Sequence, residues 1–329
     1  MAVDEQKVAA IVEQVLSQLR RDVPAAGPGP SVGLPRIETG KNGLFSDVDA
    51  AVKAARAAHE QLFPMGLDVR RNAVRAMRDV TLSHLKDLAV MAVQETGLGR
   101  VEDKIAKNRL AAEKTPGPEI LVPHAFSGDH GLALTERVPY GVICSITPCT
   151  NATETVLNNG IGMISGGNAM VVNPHPTAKA TTARYVGMLN AAMVSAGAPD
   201  NLICSVVEPT IDSAGALMKH PGVALVVVTG GPAVVKAAMA TGKKCIAAGP
   251  GNPPVLVDET AILARAARDI VTGAGMDNNI ICIVEKEIIA VDAIADRLKQ
   301  ELVRAGAYLI KDSVVGRLIK TVVEDNHIA

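Results

Sequence analysis

The spacing of apolar residues divides the chain into a helical N-terminal part and a later part in which strands and helices alternate. Over residues 4–21 apolar positions recur every three or four residues, which predicts an amphipathic helix. Residues 22–43 are rich in proline and glycine and predict a flexible linker. A helix on such a tether needs a partner for its apolar stripe: another protein, the main body of the chain or a second copy.

Helical periodicity then predicts a layer of three helices ahead of the first strands. The first begins after Ser46, which we expect to cap it, and runs to Leu62. The second spans about 68–94, and the third spans about 100–114 and ends at a Thr-Pro-Gly-Pro sequence. This layer contains no evident catalytic motif.

From Leu132 onward short β-branched runs alternate with helical segments, which predicts βαβ units and a parallel sheet covered by helices on both faces. We place a domain boundary near residue 254, with an incomplete α/β domain after it. The predicted strands are 142–147, 169–173, 202–207, 223–229, 244–247, 255–257 and 287–291. The predicted helices are 153–165, 178–196, 211–219, 232–240, 261–272 and 293–305.

Composition narrows the class of protein. A hydrophobic content of 48% with 20% charged residues is typical of a globular protein with a large core. The net charge of −1 argues against nucleic-acid binding, and no apolar run is long enough to cross a membrane. Five cysteines without a C-x-x-C pair favour a reducing cytoplasm and argue against a zinc finger or a disulfide framework. The sequence therefore predicts no metal site.

Four polar turns follow predicted strands, at the carboxyl edge of the sheet where parallel α/β proteins bind ligands. Gly230 and Gly231 precede a helix, so their amides can approach a phosphate. A standard dinucleotide fingerprint is missing, because Gly160-Ile161-Gly162 lies inside a predicted helix. The turns are Thr147-Pro148-Cys149-Thr150-Asn151, Asn173-Pro174-His175-Pro176, Thr229-Gly230-Gly231 and Gly249-Pro250-Gly251-Asn252.

Cys282 is the strongest candidate for chemistry. Buried free cysteines usually act as small hydrophobes, so a core role is the alternative to a catalytic thiolate. We interpret Cys144, Cys204 and Cys245 as core residues in strands, and Cys149 as an exposed thiol without a supporting motif. Glu285 and Lys286, just past Cys282, form either a solvated pair or a local field on the thiolate.

Several of these motifs recur in one known order. The strings are Asn151, Asn173-Pro174-His175-Pro176, Val228-Thr229-Gly230-Gly231-Pro232, Gly249-Pro250-Gly251-Asn252-Pro253-Pro254 with Val257-Asp258-Glu259-Thr260, and Asp277-Asn278-Asn279-Ile280-Ile281-Cys282. With them the chain resembles the CoA-acylating aldehyde dehydrogenases of bacterial microcompartments, of the ethanolamine- and propanediol-utilisation type. Pro174-His175-Pro176 and Glu208-Pro209-Thr210 look closer to the propionaldehyde enzymes.

The resemblance implies an aldehyde dehydrogenase-like fold, with a Rossmann-type cofactor domain over residues 44–254 and part of a catalytic domain over 255–329. It implies that the Cys282 thiolate attacks an aldehyde, that NAD accepts the hydride, and that coenzyme A resolves the acyl-enzyme thioester. Either Thr150 or Asn151, together with the Cys282 amide, would stabilise the oxyanion. The cofactor would contact Thr147, Pro148, Asn173, His175, Pro176, Thr229, Gly230, Gly231, Val234, Gly249, Pro250 and Gly251.

Two positions differ from the hydrolytic aldehyde dehydrogenases. Hydrolytic relatives carry a water-activating glutamate where this chain has Ala247, which suits an enzyme that keeps its thioester for CoA. They also carry a lysine where this chain has Asn173. His175 could equally contact the cofactor or only complete a turn. The sequence also does not decide between NAD and NADP, and it does not fix the chain length of the aldehyde.

The resemblance also implies a cytoplasmic location inside a microcompartment, with residues 1–21 docking on a shell protein. Family members are homo-oligomers and continue beyond residue 329, so we expect weak turnover and exposed apolar surface if this chain is the entire polypeptide. The competing hypotheses are an inactive fragment that acts as a shell-binding module, and a hydrolytic aldehyde dehydrogenase, which Ala247 disfavours.

Overall fold

A computed structural model describes residues 39–324 and 327–328. The predicted helix over 1–21 and most of the predicted linker lie outside the described residues. The helices are α1 Val48–Leu62, α2 Leu67–Ser83, α3 Leu85–Thr96, α4 Val101–Lys114, α5 Glu154–Ser165, α6 Lys179–Ser195, α7 Ile211–Lys219, α8 Pro232–Met239, α9 Leu263–Gly275, α10 Asp292–Arg304 and α11 Asp312–Val322. Single 3-10 turns occupy Pro118–Ile120, Pro176–Ala178 and Met276–Asn279.

Six parallel strands form the central sheet in the order β1-β6-β5-β4-β7-β8, which confirms the predicted parallel α/β architecture. A smaller parallel pair, β9 and β10, stands apart from it. The strands are β1 Leu44–Phe45, β2 His124–Gly128, β3 Gly131–Thr135, β4 Val142–Thr147, β5 Ala169–Pro174, β6 Ile203–Val206, β7 Leu225–Thr229, β8 Cys245–Ala248, β9 Pro254–Val257, β10 Glu287–Ala290, β11 Val323–Glu324 and β12 His327–Ile328.

The middle of the sheet is buried on both faces. Every residue of β4, β5 and β6 is buried, which explains why apolar residues dominate these strands instead of alternating with polar ones. β4 pairs with β5 along its whole length, from Val142 opposite Ala169 to Thr147 opposite Pro174. Helices then cover both faces, as short βαβ connections require.

The apolar core falls into two groups of buried side chains. The larger group extends from Leu44 to Ala238 and joins the central sheet to its helices. The smaller group extends from Val257 to Leu298 and joins the β9–β10 pair to α9 and α10.

Two helix boundaries differ from the sequence predictions. Asp47, not Ser46, caps α1: its carboxylate accepts a hydrogen bond of 2.8 Å from the amide of Ala50. The segment predicted as one helix over 68–94 is two helices that break at His84, whose φ of −124° is not helical. Apolar periodicity continues across the break, which is why the sequence pattern concealed it.

The sequence pattern did not predict several elements, among them the β2–β3 hairpin, β1 and α11. The β2–β3 hairpin is exposed at each of its positions, so no alternation of buried and exposed residues reveals it. β1 has only two residues, and α11 follows the last predicted helix. No helix within the described ranges combines the length and apolar character needed to cross a membrane.

Candidate active site

The four predicted polar turns lie at one edge of the central sheet. Chain order reverses between β4 and β7: strands β5 and β6 lie on one side of β4, and β7 and β8 on the other. Such a reversal opens a crevice at the carboxyl ends, where parallel sheets bind ligands. Backbone bonds hold the turns together, since His175 N donates to Thr147 O at 3.0 Å and Gly230 N to Ala248 O at 3.0 Å.

The helices that begin at this edge differ in whether their N-terminal amides are already bonded. The Glu95 carboxylate accepts from Ala180 N and Thr181 N at 2.7 Å each, which satisfies the start of α6. Thr210 caps α7 in a reciprocal capping box. The Gly231 N-cap of α8 has no side-chain partner. Among α6, α7 and α8, the start of α8 is therefore the better-suited site for a phosphate.

Asn173 and His175 have local partners. Asn173 is buried, and its Oδ1 accepts a hydrogen bond of 2.6 Å from the Ser213 hydroxyl. His175 is exposed, and its Nδ1 accepts from Thr177 N at 3.3 Å and lies 2.8 Å from the Thr177 hydroxyl. The imidazole thus caps the 3-10 turn at Pro176–Ala178.

Cys282 lies in a loop of unusual backbone conformation, residues 276–286, which we call the nucleophile loop. Asp277, Asn278 and Asn279 all have left-handed φ values, of 51°, 55° and 61°. Aspartate and asparagine tolerate this region better than other non-glycine residues. The Asp-Asn-Asn sequence therefore suits a tight turn that brings Cys282 back towards the sheet.

Gly251 fixes where Cys282 lies. A Cβ on Gly251 would stand 2.0 Å from the Cys282 carbonyl oxygen and 3.6 Å from the Cys282 Cβ. Only a residue without a side chain lets the two backbones approach so closely. The turn after β8 and the candidate nucleophile are consequently in contact.

Two side chains of the nucleophile loop bind its own carbonyls. The Asn279 amide donates to Ala274 O at 2.6 Å and to Glu285 O at 3.3 Å. The Lys286 ammonium donates to Asn279 O at 2.6 Å and to Ile281 O at 3.2 Å. Lys286 is thus bonded within the loop and only partly exposed, which argues against the solvated pair, one of the two alternatives for Glu285 and Lys286.

A group of charged side chains, buried except for Arg100 and Asp103, connects α4 to the nucleophile loop and to the turn after β4. The Lys104 and Lys107 ammonium groups both donate to Thr150 O, at 3.1 and 3.2 Å. Both also contact Asp277 Oδ2, at 3.2 and 2.7 Å. We call this group the α4 charge cluster; its members are Arg100, Asp103, Lys104, Lys107, Glu154 and Asp277.

Burial and hydrogen-bond partners shift the pKa values of Asp277, Cys144 and Cys204. Burial alone would raise the pKa of Asp277, but the hydrogen bonds from Lys107 and the Arg100 amide, with the lysine charges, outweigh it and lower the pKa. Burial raises the pKa of the Cys144 and Cys204 thiols. Both are therefore inert in the core, whereas Cys282 is partly exposed.

The structure thus places Cys282 against Gly251, and two lysines join Asp277 of the same loop to the Thr150 carbonyl. The Asn151 amide donates to the Thr150 hydroxyl at 3.2 Å, so both candidates for the oxyanion belong to one turn. Sequence reasoning missed Lys104 and Lys107, since lysines three apart on a helix usually mark a solvated face. Ala247 is exposed at the same sheet edge, and its methyl group cannot activate water.

Comparison with known proteins gives a family match. Residues 36–316 match the aldehyde dehydrogenase family. The acetylating acetaldehyde dehydrogenase of Bilophila wadsworthia is 49% identical over 308 residues, which cover 93% of this chain and 63% of the relative. The CoA-propanoylating propanal dehydrogenase of Citrobacter freundii is 41% identical over 283 residues, 86% of this chain and 61% of the relative.

Solved structures give a similar result. The Rhodopseudomonas palustris propionaldehyde dehydrogenase, with bound CoA and an acylated cysteine, superposes with a TM-score of 0.82 at 49% identity. The match covers 86% of this chain and 65% of that one. A propionaldehyde dehydrogenase from the fucose utilisation microcompartment of Clostridium phytofermentans gives a TM-score of 0.83 at 47% identity, covering 87% and 66%. The chain thus spans slightly less than two thirds of these relatives.

Proposed function

Because the chain belongs to the aldehyde dehydrogenase family, we propose that it oxidises acetaldehyde or propionaldehyde to the acyl-CoA, with NAD as hydride acceptor and coenzyme A as acyl acceptor. One observation carries the proposal. A partly exposed free cysteine, Cys282, contacts the Gly251 turn at the ligand-binding edge of the sheet.

Two further observations support acyl transfer to CoA rather than hydrolysis. Relatives at 41–49% identity are named as acetylating or CoA-propanoylating enzymes. Ala247 stands at the sheet edge where the hydrolytic enzymes carry a glutamate base. Without a carboxylate to activate water there, a thioester on Cys282 persists until another thiol reaches it.

The chain's own residues supply the nucleophile and the oxyanion site. The Cys282 thiolate adds to the aldehyde carbonyl and forms a tetrahedral thiohemiacetal. The oxyanion is stabilised by donors in the turn that holds Thr150 and Asn151, with the Cys282 amide. Loss of hydride to the dinucleotide would leave an acyl thioester on the same sulfur. The CoA thiol then attacks the thioester carbonyl, which gives acyl-CoA and releases the Cys282 thiolate.

The cofactor site we propose extends along the turns after β4, β5, β7 and β8. Gly230 and Gly231 suit a diphosphate, because the amides that begin α8 have no side-chain cap. Gly230 also lies close to Val234: a Cβ on this glycine would be 2.7 Å from Val234 Cγ1. The bound dinucleotide supplies the hydride acceptor. Thr147, Pro148, Asn173, His175, Pro176, Thr229, Gly249, Pro250 and Gly251 complete the proposed contacts.

The proposal extends to domains and location. We place the boundary between the cofactor and catalytic domains near residue 254, supported by the apolar groups on either side.

We place the enzyme inside a bacterial microcompartment, with residues 1–21 docking on a shell protein. A similar enzyme from a fucose utilisation microcompartment supports this. Capture by shell proteins should disappear when residues 1–21 are deleted, and unchanged capture would contradict the docking role.

The activity is tested by NADH formation from each aldehyde, with and without CoA. Sustained NADH production should require CoA, and Cys282→Ala should abolish it. Cys149→Ala is the matched control, a partly exposed cysteine at the same sheet edge. Unchanged turnover in Cys282→Ala would exclude this nucleophile. Sustained turnover without CoA would indicate hydrolysis instead.

A further inference from the structure

Lys104 and Lys107 are two buried lysines that the reaction outlined above does not use. They lie three residues apart on α4, so their side chains leave the helix on one face. Only 1% of Lys104 and 7% of Lys107 is exposed. Lysine is almost never this buried unless it is paired, so both side chains need partners of opposite charge.

The partners balance the charge of the α4 charge cluster. Arg100, Lys104 and Lys107 are cations. Asp103, Glu154 and Asp277 are anions, and the closest lysine–carboxylate contact is 2.7 Å, from Lys107 to Asp277. Lys107 also lies 3.5 Å from Glu154, near the start of α5. Lys104, Lys107, Glu154 and Asp277 are buried, so among these four the loss of one charge leaves another unpaired in a low-dielectric site.

Asp277 is held from several directions. The Arg100 amide donates to its Oδ1 at 2.8 Å, and its own amide donates to Asp103 Oδ2 at 2.9 Å. The Arg100 guanidinium donates to Gly275 O at 2.9 Å. A Cβ on Gly99 would stand 2.0 Å from Asp277 Oδ1, so the chain ahead of α4 approaches closely. The beginning of α4 therefore fixes the left-handed turn that precedes Cys282.

The same two ammonium groups reach the turn after β4. Each donates to Thr150 O as well as to Asp277 Oδ2, so each bridges the oxyanion turn and the nucleophile loop. A carbonyl and a carboxylate that share two cations cannot move apart without breaking these bonds. A nucleophile and an oxyanion site must be placed to within about an ångström, or the rate falls by about 100-fold.

We propose that Lys104 and Lys107 are positioning residues, which set the placement of the Cys282 loop relative to the Thr150–Asn151 turn for attack on the aldehyde. This inference rests on the proposed function, since it assigns roles within that site. The lysines themselves contact neither substrate nor cofactor in this assignment. Their contribution should appear in the rate of the chemical step rather than in aldehyde affinity.

The test compares Lys107→Met with Arg109→Met, a change at an exposed residue of the same helix whose partner is Glu113. In single-turnover measurements with aldehyde and NAD, Lys107→Met should slow NADH formation at least about 10-fold, with KM for the aldehyde changed less than about 3-fold. Arg109→Met should leave both unchanged. An unaltered single-turnover rate in Lys107→Met would overturn the inference.

The double variant Lys107→Met/Glu154→Gln separates positioning from stability. It removes Lys107 together with the carboxylate that only Lys107 pairs with, and it leaves Lys104 paired with Asp277. Its melting temperature should return towards that of the parent, while NADH formation stays slow. Recovery of the rate together with the melting temperature would show that the cluster only stabilises the fold.

Hydrogen–deuterium exchange tests the coupling without requiring turnover. In Lys107→Met, peptides covering residues 148–153 and 276–282 should lose protection together, whereas Arg109→Met should change neither. Loss in only one of them, or in neither, would contradict the bridge. Absence of NADH from the parent chain would count against the proposed function, and the exchange measurement would still decide the coupling.

Discussion

The contact between Gly251 and Cys282 decides how the candidate nucleophile reaches the sheet edge. Gly251 does not need a left-handed φ, so its requirement for glycine is one of space alone. A methyl group would overlap the Cys282 carbonyl oxygen, and a backbone atom cannot rotate aside as a flexible side chain does. One added carbon atom therefore pushes the nucleophile away from the cofactor turn.

We predict that Gly251→Ala lowers kcat at least about 10-fold while the chain stays folded, because an ångström-scale shift of the nucleophile is costly. The matched control is Gly215→Ala in α7, where a Cβ meets nothing within 4 Å. That change should keep full activity and stabilise the fold by about 0.5–1 kcal/mol. Steady-state kinetics and thermal denaturation provide the two measurements; equal activity in both variants would contradict the packing argument.

At the residue scale, the polar turns were placed correctly at the ends of β4, β5, β7 and β8, because turn residues after a strand are a local signal. The left-handed turn at Asp277, Asn278 and Asn279 was not predicted. The buried position of Lys104 and Lys107 could not be predicted, because it depends on a carboxylate more than 150 positions away in the chain. Likewise, no local pattern shows that Glu95 satisfies the start of α6.

At the level of elements, the cap of α1 shows how closely sequence patterns locate boundaries. Ser46 and Asp47 are both good capping residues, and sequence alone cannot choose between neighbours. The structure selects Asp47 through its bond to Ala50 N. The choice depends on the extended backbone of Asp47, with φ of −133° and ψ of 158°, which the sequence does not encode by itself.

We predict that Asp47→Ala lowers the free energy of unfolding by about 1 kcal/mol, the usual value of a lost N-cap. Ser46→Ala is the control and should change stability by less than about 0.5 kcal/mol. Urea denaturation followed by circular dichroism measures both. A larger loss of stability in Ser46→Ala than in Asp47→Ala would show that Ser46 is the N-cap, as the sequence predicts.

Strand prediction worked best in the centre of the sheet and worst at its periphery. β4 was predicted at its observed bounds, since a buried parallel strand is a mostly apolar, β-branched run between turn signals. The β2–β3 hairpin is exposed on both faces, so its burial does not alternate along the strands. Solvent contact removes the periodic signal on which such predictions depend.

For the molecule as a whole, Asp277 links the two apolar groups of the core. It follows α9, which packs in the smaller group, and its partners Lys104 and Lys107 lie on α4, which packs in the larger group. A buried carboxylate between two ammonium groups contributes most when the remaining charges would be left unpaired. Asp277→Asn should therefore destabilise the folded chain by about 3–5 kcal/mol at neutral pH.

The same carboxylate makes this contribution depend on pH. Because the pKa of Asp277 is lowered in the folded state, the unfolded chain binds the proton more tightly. The stabilisation is complete above the ordinary aspartate pKa of about 3.9 and is lost as the pH falls through the lowered folded value. The difference in unfolding free energy between parent and Asp277→Asn should thus be constant near pH 7 and shrink below about pH 4. Urea titrations across this range measure it, with Asp269→Asn as the control.

Asp269 suits that control because it also pairs with cations, Arg265 and Arg268, and its hydrogen bond with Arg268 lowers its pKa. It is exposed, however, so solvent screens the pair and little stability depends on it. Asp269→Asn should therefore differ little from the parent at any pH. A parent–Asp277→Asn difference that stays constant down to acid pH would mean that the charge on Asp277 does not hold the two groups together. If the difference in unfolding free energy between parent and Asp277→Asn vanishes as Asp277 is protonated, the charge on Asp277 does hold the two groups together.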